Sequence, residues 1–207
     1  MPRTSTTKTR TRWGDRDGRR RDILDAGRRL LERRGYQAFT MRDLARGAGV
    51  TAGLVYTYFA SKEELFAALY AERLDRFAAD IAPLCRDATS AEELFVAVAG
   101  EYRAVYQVFG RELNVWAVLL ETGASREEVA QPLVQAATAT LSTVQAAIER
   151  LAPGRRDPLA LPLLWATLHG LCDHFTGARH RIHPYGWDEL VRFAARTLVR
   201  GLTPEED

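Results

Sequence analysis

Apolar positions recur along almost the whole chain at steps of three and four, the spacing of helices with one buried face. Ile23, Leu24, Gly27, Leu30 and Leu31 mark such a face from Arg19 onward, and Gly35 stands where that helix should end. Thr40 is placed to cap a short second helix, Met41–Gly47, with Leu44 and Ala45 inward. Ala48-Gly49-Val50 reads as a tight turn, because Gly49 can take a positive φ. Thr51 then caps a third helix, Ala52–Phe59. Ser61 with Glu64 forms a capping box that opens a long fourth helix, Ser61–Ala82, which Pro83 is expected to terminate.

The rest of the chain repeats the pattern. Ser90 opens a helix to Phe109, and Gly110 stops it. Arg111–Thr122 reads as a shorter apolar helix. Ser125 with Glu128 forms a second capping box, and its helix ends near Leu151–Gly154. Pro132 should kink that helix or push its start later. Either Asp157-Pro158 or Leu161-Pro162 opens a helix through Phe175; Gly177–Gly186 is a loop; Trp187–Leu202 is the last helix. No segment alternates as a strand does between hairpin turns. The predicted fold class is all-α, with about nine helices and no internal repeat. Met1–Gly18, rich in Thr, Arg and Gly and without apolar periodicity, reads as a disordered basic arm.

Charge changes the picture. The chain of 207 residues carries a formal charge of only +2, but it is unevenly spread. Met1–Ala60 holds thirteen arginines and one lysine against five aspartates and one glutamate, a local charge of +8, which leaves −6 for the remainder. A basic head on an acidic body is an electrostatic footprint for polyphosphate, nucleic acid above all, although a solvated arginine-rich surface gives the same count. Cys85 and Cys172 are too few and too far apart for a disulfide framework or a four-cysteine zinc site. No apolar run suits a membrane span, and no apolar signal segment stands at the N-terminus, so the expected location is the cytoplasm, with no membrane partner.

Three short helices with a glycine turn between the second and third make a helix-turn-helix, whose third helix enters the major groove while the second crosses the backbone. In that third helix Val55 and Phe59 fall on one side with Val50, and Leu54 and Tyr58 on a neighbouring face beside Ala52 and Thr57. The stretch Gly35–Leu65 includes Ala-Gly-Val-Thr, Gly-Leu-Val-Tyr, Tyr-Phe and Ser-Lys-Glu-Glu-Leu. It closely resembles the TetR family of bacterial transcriptional regulators, from Arg19 to about Phe66. Tyr58 stands where many members have His. The domains implied are a basic arm over 1–18, a helix-turn-helix domain over 19–66 and a helical effector-binding and dimerisation body over 67–207.

The resemblance implies a homodimeric DNA-binding protein, usually a repressor, with a small-molecule effector and no cofactor. By position in the family pattern, Arg42, Ala52, Gly53, Leu54 and Thr57 would meet bases, with Leu54 suited to a thymine methyl. Thr40, Thr51, Tyr56, Tyr58 and Lys62 would hold phosphates; capping alone also accounts for the two threonines, and packing for Tyr56. Trp165-Ala166-Thr167-Leu168-His169-Gly170-Leu171 is similar to the C-terminal Trp/His/Gly region of one subgroup. In proteins of this type the last two helices build the dimer. Leu161, Trp165, Leu168 and Phe175, with Leu190, Ala194 and Leu198, are the candidate interface. Phe95, Tyr102, Tyr106, Phe109, Trp116 and Leu120 are large, at helical spacing, and either line an effector pocket or form plain core. Few polar groups accompany them (Glu101, Gln107, Asn114, Asp173, His174), which favours an apolar or aromatic effector.

His169, His174, His180 and His183 near Cys172 fit no metal spacing, and no catalytic motif is present, so neither a metal site nor an enzyme is expected. The competing reading is a DNA-binding protein whose body recruits a protein partner instead of a small molecule. A large cavity would favour an effector; a filled core with an exposed apolar patch would favour recruitment.

Overall fold

The computed structural model describes residues 16–110, 127–153 and 157–201. Among them are eight α-helices and no strand. The chain divides into two compact units, Met1–Ala60 and Ser61–Asp207.

The first unit contains α1 (Arg16–Arg34), α2 (Met41–Ala48) and α3 (Ala52–Tyr58). Helix α1 begins three residues earlier than its apolar periodicity does, so Arg16, Asp17 and Gly18 are helical, not part of an arm. Asp17 lies in the first turn, where a carboxylate complements the helix dipole, and the arginines that follow are good helix formers. Ile23, Leu24, Leu44, Val55 and Phe59, all buried, form the small core that joins the three helices. Two positive-φ glycines punctuate it: Gly35 after α1 (φ 73°) and Gly49 after α2 (φ 65°). Val50 N–H donates back to the Ala45 carbonyl at 3.0 Å, closing the turn.

The second unit contains α4 (Lys62–Asp87), α5 (Ala91–Phe109), α6 (Glu127–Leu151), α7 (Ala160–Thr176) and α8 (Trp187–Gly201). Helix α4 packs along α6 and α5, and α5 packs against α7 and α8. Leu133, Ala136, Thr140, Ala147 and Ile148 form the buried stripe of α6. Its helix begins at Glu127 and carries Pro132 within it. Ser125 and the proposed helix Arg111–Thr122 lie outside the described residues.

Pro83 does not end α4, which continues to Asp87. A helical proline frees the carbonyl four residues back, and here that residue, Ala79, is exposed, so water can serve the freed oxygen. The buried side chains Phe77, Ile81 and Cys85 keep the helix seated on either side of the proline. The loop between α7 and α8 is also more ordered than its composition implies, holding a short 3₁₀ turn over Arg179–Ile182.

Candidate nucleic-acid interface

Helix α2 is held at its start by a reciprocal cap. Thr40 Oγ1 accepts from Asp43 N–H (3.2 Å), while the Asp43 carboxylate accepts from the Thr40 N–H (3.0 Å) and hydroxyl (2.8 Å). These bonds, first the side chain and then the backbone of Thr40, hold the Asp43 carboxyl below its ordinary range. Asp43 also pairs with Arg46 at 3.3 Å. Arg42, one residue before, is exposed and makes no hydrogen bond or ion pair among the described residues, so its guanidinium is available. Helix α3 is capped by Thr51, whose Oγ1 accepts from Leu54 N–H at 3.3 Å.

The faces of α3 divide sharply. Val55 is fully buried, and Phe59 follows it at the end of the helix, beneath the Arg20 guanidinium 5.4 Å from its ring centre. Thr51, Gly53, Tyr56 and Thr57 are exposed; Ala52, Leu54 and Tyr58 are half-buried. A Cβ placed on Gly53 would meet nothing within 4 Å, so the outer face near it is open. Thr57 Oγ1 donates to the Gly53 carbonyl (3.1 Å), which leaves the hydroxyl oxygen free to accept. Tyr56, 51% exposed, is not a packing residue of this unit. The first unit thus gathers nine of the ten expected DNA contacts on α2 and α3 and their caps. Lys62 opens α4 in the second unit.

In the second unit the large side chains of α5 meet α4 and α7. Phe109 sits 5.5 Å from Phe66 and 5.3 Å from Tyr70; Tyr102 sits 5.7 Å from Phe77 and 4.9 Å from Trp165. The Tyr102 hydroxyl and His169 Nδ1 are 3.2 Å apart, and the Tyr106 hydroxyl donates to Asp173, whose other oxygen takes Arg179. Burial pushes the phenols of Tyr70 and Tyr102 well up; burial and then the Asp173 charge push Tyr106 up to about 12. Burial likewise pushes His169 down, against the opposing pull of Asp173, and the Cys172 thiol up to about 12. All four phenols and imidazoles here are therefore neutral hydrogen-bonding groups at neutral pH.

The family model for bacterial regulatory proteins of the tetR family matches residues 23–69, the segment that carries this interface. Residues 23–69 thus carry the DNA-binding segment typical of the tetR family. It is 30% identical over 136 residues to the HTH-type transcriptional regulator BetI of Rhizobium meliloti (strain 1021), across 65% of this chain and 66% of that one. It is 42% identical over 52 residues to the HTH-type transcriptional repressor KstR2 of Mycobacterium tuberculosis (strain CDC 1551 / Oshkosh), across 25% and 26%. These matches thus span from about a quarter to just under two thirds of the curated relatives' length. The fold extends further. A crystal structure of the regulator FadR from Bacillus subtilis, in complex with stearoyl-CoA, matches with a TM-score of 0.58 at 18% identity, over 87% of this chain and 98% of that one. The family consists of DNA-binding regulators and not of enzymes.

Set against this TetR-family frame, two groups of expected residues fall differently from the sequence reading. Phe95, Tyr102, Tyr106 and Phe109 are buried in the second unit; Trp116 and Leu120 lie outside the described residues. A groove of about 420 Å³ does open between the start of α5 and α8, lined by Glu92, Val96, Arg192 and Arg196, but none of the four borders it. The expected dimer face on α7 also needs correction. Leu168 is buried, Trp165 packs on Tyr102, and Phe175 lies 5.5 Å from Trp187, all within one protomer, and Leu161 is half-buried. Beside Pro162, the residues left outward are Leu159, Leu163, Ala166 and Gly170, at steps of four, three and four. On α8 Val191 and Ala195 are buried, whereas Phe193 is 64% exposed and Leu190, Ala194 and Leu198 are half-buried. The exposed apolar residues Leu163 and Phe193 are not among those the sequence pattern singles out. Because α7 is apolar nearly all round, periodicity alone could not separate its two faces.

Proposed function

We propose that this protein is a transcriptional repressor. As a homodimer it binds a palindromic operator, and it releases that operator when a small apolar or aromatic molecule enters its helical body. The observation that carries the DNA reading is the α2–α3 face. It sets an unpaired, exposed Arg42 beside an open, uncharged start of α3, with hydroxyl and phenol groups around it to meet phosphates. The relative named as a repressor and the fold-neighbour bound to an acyl-CoA agree with this reading.

The apolar stripes on α7 and α8 support self-association. Two heads then meet two half-sites, which requires a two-fold operator. For the effector, the interior around Tyr102 and Tyr106 is aromatic with a few neutral polar ends, and a ligand entering there has to part these packed side chains. That chemistry suits an apolar or aromatic ligand better than a sugar or phosphate. Three residues, Phe59 to Ser61, separate the end of α3 from the start of α4, so a shift of α4 on ligand binding has a short path to the recognition helix.

The test is duplex selection from a random library, followed by anisotropy titration over a salt series. A selected palindrome should bind with an affinity that falls steeply with salt. Arg42→Ala should weaken that binding by about 1–3 kcal/mol without changing the helical circular dichroism. Failure to enrich any duplex at low salt would overturn the proposal.

A further inference from the structure

The loop between α7 and α8 is closed by two imidazoles. His174, near the end of α7, and His183, just after the 3₁₀ turn, bring their Nε2 atoms to 2.8 Å. Their planes lie within 8° and their ring centres 5.0 Å apart. The nitrogens are thus closer than the ring centres by about two ring radii, so the rings meet tip to tip. That is an N–H···N hydrogen bond, in which one ring donates and the other offers its lone pair. His183 Nδ1 is buried and has no partner, whereas His174 Nδ1 is not sealed in this way. If His183 were the acceptor, its own hydrogen would sit orphaned on that buried nitrogen. The hydrogens are therefore best placed with His183 Nε2–H donating to His174 Nε2, and with His174 carrying its hydrogen on Nδ1.

We propose that this contact is a proton-operated clasp. It holds the segment 177–186 against α7 while one hydrogen bridges the two rings, and it opens when acid charges both. The proton count sets the mechanism. A first added proton has only His183 Nδ1 to go to, a buried position with no acceptor. A second must go to His174 Nε2, where it sets two N–H groups and two positive charges face to face. Once the rings separate, water can serve all four nitrogens. As a side-chain type, imidazole is the one that changes charge between about pH 5 and pH 8, so acidification is the lever that tests the clasp.

The surrounding charges leave the pair to itself. From α7, the Asp173 carboxylate is taken by Arg179 and the Tyr106 hydroxyl. From the loop, His180 Nδ1 contacts the Gly177 carbonyl at 2.9 Å, its ring lies on Phe175, and Arg181 is exposed. Tyr185 lies beside His183 through its ring. From α8, Glu189 accepts from Gly186 N–H and Asp188 is exposed; from α5, Arg103 covers Trp187. Among the described residues none of these forms a hydrogen bond or ion pair with either imidazole. The loop leads directly into Trp187, the first residue of α8, and Trp187 packs on Phe175. Opening the clasp therefore loosens the seat of α8. The consequence for self-association rests on the dimer reading above; the opening of the loop does not.

The experiment measures amide hydrogen exchange of 178–186 in the full-length protein at about pH 7.5 and about pH 5.5, corrected for intrinsic rates. The wild type and a His180→Gln control should lose about tenfold or more protection in this loop at the lower pH, while α4 and α6 keep theirs. His183→Gln, whose amide can still donate to His174 but cannot take a proton, should show no such loss. Unchanged protection in the wild type, or the same loss in His183→Gln, would overturn the clasp. Imidazole nitrogen NMR of the wild type gives a second check that needs no variant. It should show opposite tautomers for His174 and His183 at about pH 7.5, and matching tautomers would overturn the assignment. Sedimentation at both pH values separates the two readings. A dimer lost together with loop protection supports the coupling, and a dimer that persists while the loop opens overturns the coupling alone. A monomer at both pH values overturns the dimer reading.

Discussion

Arg150 of α6 reaches the end of α4, where its Nη2 donates to the Cys85 carbonyl at 2.9 Å and to the Ala88 carbonyl at 2.9 Å. The last carbonyls of a helix have no partner within it, and a guanidinium meets both the missing hydrogen bonds and the negative end of the dipole. This contact ties together residues more than sixty positions apart. It also caps the last carbonyls of the helix that Pro83 does not stop.

Arg150→Ala should therefore lower the stability of the second unit by about 1–2 kcal/mol, the lower part of the range for charged hydrogen bonds because Arg150 keeps contact with solvent. Arg150→Lys should recover only part, since the lysine side chain is one bond shorter and its ammonium does not hold its donors in a fixed plane. Urea unfolding followed by circular dichroism measures this; an unchanged midpoint for Arg150→Ala would show the contact to be idle.

Thr51 supports a helix of only seven residues. Replacing it with Ala removes the side-chain acceptor for Leu54 N–H and should cost about 1 kcal/mol, with Thr51→Ser close to the wild type. Operator affinity should fall in Thr51→Ala and return in Thr51→Ser. If affinity falls equally in both, Thr51 contributes a methyl contact and not its hydroxyl.

His169 gives the second unit a pH dependence. Burial is the first cause that lowers its pKa in the folded state, so the unfolded chain takes up its proton first as pH falls. The contribution is complete above the unfolded value of about 6.5 and is lost as pH falls through the folded value. Thermal midpoints should decline below about pH 6.5 in the wild type and less steeply in His169→Gln. Identical slopes would assign the decline to other groups.

Much of this architecture is readable residue by residue in the chain. Thr40, Thr51, Ser61 and Ser90 stand where the apolar period begins, and all four side chains accept the N–H that such caps serve. These are local interactions, decided within three or four residues. The end of α4 is different. It depends on the exposure of Ala79 and on Arg150, neither of which the sequence around Pro83 reveals. The packing of Trp165 is set by Tyr102, more than sixty residues away. The His174–His183 contact joins residues that spacing alone leaves as a helix end and a loop.

The two faces of α7 make opposite predictions for the same kind of substitution. Leu168 is buried in its own protomer, so Leu168→Glu places a carboxylate where no partner or water is available, at a cost of several kcal/mol. The unit should unfold or aggregate, which says nothing about a dimer. Leu163 is 49% exposed and Phe193 64%, so Leu163→Glu and Phe193→Glu should leave the monomer's helicity and thermal midpoint nearly unchanged. If these residues face a second copy, each charge must be buried against an apolar surface, and the dimer should weaken by tenfold or more, about 1.4 kcal/mol at least. Operator binding should then fall with the square of the monomer concentration, because both half-sites need a head. Sedimentation across a dilution series separates the outcomes. Folded, monomeric Leu163→Glu and Phe193→Glu proteins place the interface on the outer stripes of α7 and α8. If both variants remain dimeric, the interface lies elsewhere and the exposed stripes need another occupant.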